Sequence, residues 1–230
     1  MRSFRAELLR SINRSTAAFA LLCVGFTLFS MANAGPQHHT PLWGFQQVGI
    51  FTATLLMGRA AVVSASDFSA GTIRPWLISQ PSRRSVFTGK LAGSVAIAVA
   101  VSVLVGLISF ALSGVFGSVP SIGDMAVATG QLAFACTALS FFGHAVGVLT
   151  RSVPVALTIT LVWILPGEKV MQGHSAELDR WLPGGVLQEI TLGKLAQGST
   201  PLGAALHSAL PFVLLDLLAL GLFFRRDVNS

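Results

Sequence analysis

Residues 91–115 read LAGSVAIAVAVSVLVGLISFALSGV, a run of 25 positions without a charged residue. A helix of about 20 apolar residues crosses the roughly 30 Å hydrocarbon core of a bilayer, so this run predicts a transmembrane helix. Of the 230 residues of the chain, 53% are hydrophobic and 10% are charged, against roughly 25% charged residues in a soluble domain. The sequence therefore predicts an all-α integral membrane protein with a single transmembrane domain over residues 1–230.

Five further apolar runs accompany this one, separated by turn-rich or polar stretches. Together they predict six transmembrane helices, at about residues 15–33, 46–66, 91–115, 125–149, 152–166 and 203–224. The fifth is bounded by prolines and covers only about 22 Å at helical rise, which is short of a full hydrocarbon core.

Lysine and arginine are unevenly distributed between the two sides that these spans define. One side holds Arg2, Arg5, Arg10, Arg14, Arg74, Arg83, Arg84, Lys90, Arg151, Arg225 and Arg226, and the other holds Lys169, Arg180 and Lys194. By the positive-inside rule the basic side faces the cytoplasm. This predicts a multi-pass protein of the cell (plasma) membrane with both termini in the cytoplasm.

The first apolar run also has features of a secretory signal, because a basic start precedes it and the small residues ANA precede Gly35. The run is long for a signal, and a second span follows closely, so a retained helix is the simpler interpretation. Cleavage after Ala34 stays open.

Residues 2–14 predict an amphipathic N-terminal helix that lies in the membrane interface. At roughly 100° per residue, an arc of about 140° contains all of its large apolar side chains. These are Phe4, Leu8, Leu9 and Ile12. The alternative is that the segment is only a basic anchor for the first span.

Between the second and third spans lies SASDFSAGTIRPWLISQPSRRSVFTGK, residues 64–90. A simple connector rarely needs so many residues. Pro81 breaks the chain ahead of a basic turn formed by Ser82, Arg83 and Arg84. The pattern predicts a short amphiphilic element on the inner face of the membrane, and the alternative is a solvated loop whose arginines only fix the topology.

This stretch resembles one family, the permeases of ABC-2 type transporters, which are the membrane subunits of type-2 ABC exporters. In that family an acidic residue, usually glutamate, ends the second span, and a G-T-[IL]-R run, a P-x-[SR]-R turn and a lysine that opens the third span follow it. The residues that match are Asp67, Gly71, Thr72, Ile73, Arg74, Pro81, Ser82, Arg83, Arg84 and Lys90.

The resemblance implies a permease subunit of an ATP-driven exporter that moves an apolar or amphiphilic substrate out of the cytoplasm. The chain has no G-x-x-x-x-G-K-[ST] sequence. ATP and Mg would therefore be bound by a separate cytoplasmic ABC ATPase subunit, and this chain would itself be neither an enzyme nor the holder of a cofactor. A permease homodimer or heterodimer with membrane lipid around it would complete the assembly.

The resemblance also implies where the ATPase would dock. The docking surfaces would be the N-terminal helix and the element at residues 67–80, which would contain a cytoplasmic coupling helix between spans 2 and 3. The ATPase-coupling residues would be Asp67, Gly71, Thr72, Arg74, Trp76, Arg83 and Arg84. The external segment before the last span, with Trp181, Leu182 and Pro183, is similar to the short re-entrant helices of the family.

Four ionisable residues fall inside the predicted spans, namely Arg59, His144, His207 and Asp216. Such residues are functional candidates, because a charge in hydrocarbon is costly. In the simpler interpretation Arg59 snorkels towards the inner surface, each histidine packs or makes a local hydrogen bond, and Asp216 bonds a hydroxyl on another helix. His207 and Asp216 are about 180° apart on one helix, so they cannot pair on a single face.

Other functions have less support in the sequence. G-x-S-x-G and H-E-x-x-H are absent, so no catalytic site is predicted. His38 and His39 are adjacent and have no third ligand nearby, so no metal site is predicted. The basic residues form no run interleaved with aromatic residues, so no nucleic-acid partner is expected. The remaining alternative is a non-transporting immunity or sensory scaffold protein, in which residues 67–90 would bind a partner.

Overall fold

The computed structural model describes residues 9, 12, 14–33, 41–72, 82–117, 119–163, 167–175, 179, 181–194 and 200–225. Over these residues the chain is helical, with no strand. The helices are α1 (Arg14–Ala32), α2 (Pro41–Gln47), α3 (Gly49–Ser69), α4 (Arg83–Phe116), α5 (Ile122–Thr150), α6 (Val153–Val162), α7 (Glu168–Met171), α8 (Pro183–Thr191) and α9 (Pro201–Arg225).

Five apolar helices in this part of the chain are long enough to cross a membrane. They are α1, α4, α5, α9 and the stretch Leu42–Ser69, which joins α2 to α3. This confirms the predicted helical membrane protein. In the predicted fifth span, α6 has only 10 residues and covers about 15 Å at helical rise, so the count of six spans stays a prediction.

Helix α5 lies at the centre of the bundle. It packs against α3, α4, α6, α8 and α9, and 72% of its most apolar stretch is buried, compared with 22% in α1 and 28% in α9. Many of its buried residues are small. Lipid provides no hydrophobic force that drives one apolar helix against another, so small residues that allow close van der Waals contact favour association.

The closest approach is between α5 and α3, at Gly143 and Gly147. A Cβ atom on Gly147 would lie 2.6 Å from the carbonyl oxygen of Ala61 and 2.8 Å from Cβ of Ser64. A Cβ atom on Gly143 would overlap the carbonyl oxygen of Met57. The two glycines are four residues apart, so they present one side-chain-free face to α3.

Helix α4 begins earlier than predicted. We expected a basic turn at Ser82, Arg83 and Arg84 and a span that opens near residue 91, but the helix starts at Arg83. The predicted turn is wrong because Ser82 is an N-cap residue, whose side-chain oxygen accepts a hydrogen bond from the backbone N–H of Ser85 at 3.4 Å. The two arginines therefore form the first turn of a 34-residue helix.

The predicted external segment contains two short helices, α7 and α8, which one carboxylate connects. Glu168 is 2% exposed and accepts hydrogen bonds from the backbone N–H groups of Gly184 at 3.1 Å and Gly185 at 2.9 Å. These are N–H groups of the first turn of α8, where a negative charge is favourable. Buried Leu187 on α8 belongs to the main apolar core, and α8 packs against α3, α5 and α9.

Two predicted elements fall largely or wholly outside the described residues. Of the apolar residues of the predicted N-terminal interfacial helix, Leu9 and Ile12 are described and exposed, whereas Phe4 and Leu8 lie outside the description. The element at residues 67–80, in which the coupling helix is predicted, is described only as far as Thr72, so Arg74 and Trp76 lie outside the description.

The α3–α5 contact predicts opposite effects for two glycine substitutions in α5. Gly147→Ala places a methyl group against the backbone of α3 and is expected to lower the free energy of unfolding by about 1–3 kcal/mol. Gly130→Ala is the matched control, because no atom lies within 4 Å of its Cβ position. It is expected to raise stability by about 0.5–1 kcal/mol through helix propensity. Unfolding in detergent measures both, and equal effects would contradict the close contact.

Candidate functional site

Four helix ends meet at one end of the bundle, which we call the basic end. Here α3 and α5 finish, α4 begins and α9 finishes. Arg83, Arg84, Arg151 and Arg225 are described at this end. Beneath these arginines lie two buried polar pairs and a cluster of phenylalanine rings, which together form the candidate site.

The first pair joins Asp67 of α3 to Lys90 of α4. The ammonium group of Lys90 contacts Oδ2 of Asp67 and donates a hydrogen bond to the carbonyl oxygen of Val63 at 3.3 Å. The two charged residues are 1% and 2% exposed. Because α4 starts at Arg83, Lys90 lies two turns inside the helix rather than at its opening. A buried pair of this kind is stable only while both charges are present.

The other oxygen of Asp67 holds the chain as it leaves α3. The hydroxyl of Thr72 donates a hydrogen bond to Oδ1 at 3.0 Å. Between them Gly71 has φ of 69°, a left-handed conformation that favours glycine and turns the chain after the helix end. One carboxylate thus fixes α3, α4 and the start of the connecting segment relative to one another.

The second pair joins α5 to α9. Nδ1 of His144 lies 2.7 Å from Oδ1 of Asp216, and the two residues are 0% and 3% exposed. Asp216 makes the expected interhelical bond, but its partner is an imidazole and not a hydroxyl. The hydrogen bond of His144 is therefore long-range, whereas the expectation for this histidine was packing or a local hydrogen bond. The ring of Phe87 on α4 packs edge-on against His144, with centroids 4.6 Å apart, so three helices meet at this histidine.

Aromatic rings lie between the two polar pairs and the end of the bundle. The ring of Phe223 on α9 lies 6.1 Å from that of Phe68 and 6.0 Å from that of Phe87, measured between centroids. The guanidinium carbon of Arg151 lies 5.3 Å from the Phe68 centroid. The buried residues Ala145, Val148 and Ala219 belong to the same cluster. The rings therefore connect the residue after Asp67 to the helix that carries Asp216.

Two of the predicted ATPase-coupling residues contact the end of α9. Arg83 donates a hydrogen bond from Nη1 to the carbonyl oxygen of Phe224 at 3.2 Å. The guanidinium carbon of Arg84 lies 5.6 Å from the centroid of the Phe224 ring. The last carbonyl groups of a helix have no partner within the helix and attract cations, so these arginines stabilise the end of α9.

The other two intramembrane candidates lie away from this site. Arg59 is 5% exposed, and its guanidinium donates to the hydroxyl of Thr16 in the first turn of α1, at 2.9 Å from Nη2 and 3.2 Å from Nε. Its side chain therefore extends to the N-terminal end of α1, which the predicted topology places on the inner side. Snorkelling of Arg59 towards the inner surface stays a prediction. His207 packs against the ring of Trp181 at 4.9 Å and has no contact with Asp216, which pairs with His144.

No protein-family model matches this chain, and a search of curated proteins finds no match either. In the described part of the chain, His, Cys, Asp and Glu side chains form no group of three or more that could hold a metal ion.

The ion pair predicts strong coupling between its two partners. Lys90→Met leaves Asp67 buried and unpaired and is expected to lower the free energy of unfolding by about 3–5 kcal/mol. Adding Asp67→Asn to this variant is expected to restore most of the loss, because no unpaired charge then remains.

Unfolding of the single and double variants in detergent completes this thermodynamic cycle. The matched control is Lys194→Met, which removes an exposed lysine and is expected to change stability by less than about 0.5 kcal/mol. Additive losses in the double variant would show that the two residues do not interact.

Proposed function

We propose that this chain is the transmembrane permease subunit of an ATP-driven exporter. A separate cytoplasmic ATPase subunit binds ATP and Mg, and the permease moves an apolar or amphiphilic substrate out of the cytoplasm. Two kinds of evidence support this. The described helices include five of membrane-spanning length, and the residues that resemble the ABC-2 permease motif include a buried bridge at the base of the segment that would meet the ATPase.

The bridge made by Asp67 is the observation on which the proposal depends most. A segment that is displaced by an ATPase must be rigidly attached to the helices that it moves. Otherwise the connecting chain deforms and the helices stay in place. Asp67 provides this attachment, since one oxygen binds Lys90 of α4 and the other binds Thr72 in the segment. Both helices that flank the segment would then move with it.

The phenylalanine cluster extends the attachment to the rest of the bundle. Phe68 follows Asp67 directly and contacts Phe223 on α9, while Phe87 contacts both Phe223 and His144. A displacement at the base of the segment would therefore reach α5 and α9 through packed rings. Coupling between distant sites needs such contiguous packing or an element with two arrangements, and the packed rings provide the first of these.

The proposed topology has the basic end in the cytoplasm, both termini on that side and six crossings of the plasma membrane. In this arrangement α6 makes the inner part of the fifth crossing, since it covers only about 15 Å. Helices α7 and α8 would then lie in the outer part as a re-entrant element, held together by Glu168 at the start of α8.

The proposal predicts that an ATPase subunit copurifies with the chain. The tagged protein is extracted from its native membrane in a mild, neutral detergent, and the bound proteins are identified by mass spectrometry and assayed for ATP hydrolysis. A nucleotide-binding subunit in a fixed ratio to the permease is the expected result. Repeated isolation of the chain without any ATPase would instead favour the scaffold alternative.

Once the ATPase is identified, Thr72 tests the attachment directly. Thr72→Val removes the hydrogen bond to Asp67 at an exposed position and is expected to weaken ATPase binding several-fold, whereas Thr72→Ser keeps the hydroxyl and is expected to bind normally. Arg74→Ala is expected to weaken binding as well, because the resemblance gives it a coupling role. Affinity is measured with the purified ATPase and permease in nanodiscs, and normal binding by all three variants would refute this docking site.

A further inference from the structure

Helix α9 exposes a continuous apolar stripe that ends in a positive charge. Five leucines on it, Leu206, Leu210, Leu214, Leu217 and Leu218, are between 54% and 59% exposed. At 100° per residue they fall, with Gly221 and Phe224, within an arc of about 120°. Exposed Arg225 lies within the same arc, one turn beyond Gly221. On a helix that crosses a membrane, such a stripe faces acyl chains and such an arginine lies at the level of the headgroups.

A second exposed arginine, Arg84, joins this stripe at the basic end. Its guanidinium lies over the ring of Phe224, at 5.6 Å from the centroid. A guanidinium above a ring keeps its in-plane N–H groups for other ligands. Arg83 donates to the carbonyl oxygen of Phe224 and so fixes the end of α9 beside the start of α4. Arg84 therefore lies over Phe224, and Arg225 is the next residue of α9.

Acidic side chains do not balance this charge within the described residues. The carboxylates described at the basic end belong to Asp67 and Asp216, and each is buried in its own pair. Grouped exposed arginines create a local positive potential that attracts anions. The phosphate group has the geometry that guanidinium groups bind best, through paired N–H donors.

We propose that Arg84 and Arg225 bind the phosphate of one anionic phospholipid, whose acyl chain lies along the leucine stripe of α9. Basic groups between helices at the cytoplasmic side of a membrane favour such headgroups. The leucine stripe decides between the candidate ligands. A free phosphate ion would use only the arginines, and a soluble protein partner could not cover leucines that face hydrocarbon, whereas a phospholipid uses both parts.

This site is independent of transport, because it requires only that α9 crosses a membrane. The resemblance implies that Arg84 contacts the ATPase, but its position against Phe224 favours the lipid. The lipid would stabilise the end of α9, the helix that also carries Asp216. Its binding can therefore be tested on the purified permease alone, whether or not an ATPase is found.

The test counts bound lipids by native mass spectrometry. Phosphatidylglycerol or phosphatidylcholine is titrated into the full chain in neutral detergent, and the dissociation constant of the first bound lipid is measured. We expect tighter binding of phosphatidylglycerol, and a loss of about fivefold in its affinity for each of Arg84→Gln and Arg225→Gln. The matched control is Arg14→Gln, which removes an exposed arginine of α1 and is expected to leave the affinity unchanged.

Three outcomes would overturn the proposal. An equal loss in Arg14→Gln would mean that the lipid responds to diffuse charge and not to a site. Displacement of phosphatidylglycerol by equimolar inorganic phosphate would indicate an anion site without a role for the leucine stripe. Unchanged lipid affinity in both Arg84→Gln and Arg225→Gln would show that these arginines do not bind the headgroup. Thermal unfolding of each variant verifies that it is folded, and the charge-preserving Arg84→Lys is expected to retain part of the affinity.

Discussion

The buried ion pair between Asp67 and Lys90 is the interaction on which the basic end depends. A charge inside an apolar bundle is stable only with a partner close by, so the pair fixes the register of α3 against α4. The same carboxylate also receives the hydroxyl of Thr72, which sets the direction in which the chain leaves α3. The position of Phe68, one residue further along, follows from this register, and so does its contact with Phe223.

Close helix packing makes the second pair possible. His144 lies between Gly143 and Gly147, the two residues that bring α5 against the backbone of α3. With α5 held centrally, its histidine can reach Asp216 on α9 while it packs against Phe87 on α4. A larger residue at either glycine would move α5 outward and change the distance on which that hydrogen bond depends. Small residues and buried polar groups are therefore parts of one arrangement.

The sequence alone predicts the long helices but not the contacts between them. Continuous apolar runs predict spans because the bilayer requires them, and the resemblance singled out Asp67 and Lys90 as a motif. The His144–Asp216 pair joins residues 72 positions apart, and periodicity within one helix contains no information about its neighbours. The Gly143–Gly147 spacing was available in the sequence as a packing signal. To predict the early start of α4 from the sequence, one would have had to recognise Ser82 as its N-cap residue.

The arginines at the basic end all follow the positive-inside rule, but each makes a different local contact. The positive-inside rule counts them together, but Arg83 binds a carbonyl group at the end of α9, Arg151 lies against Phe68, and Arg84 lies against Phe224. Each of these contacts stabilises a helix end or a ring that surrounds the buried pairs. A membrane surface would meet this end along the leucines of α9. In the proposed exporter, an ATPase would meet it through the segment after Thr72. Lipid composition would then alter the proposed coupling by changing the stability of the end of α9, without contact with the ATPase.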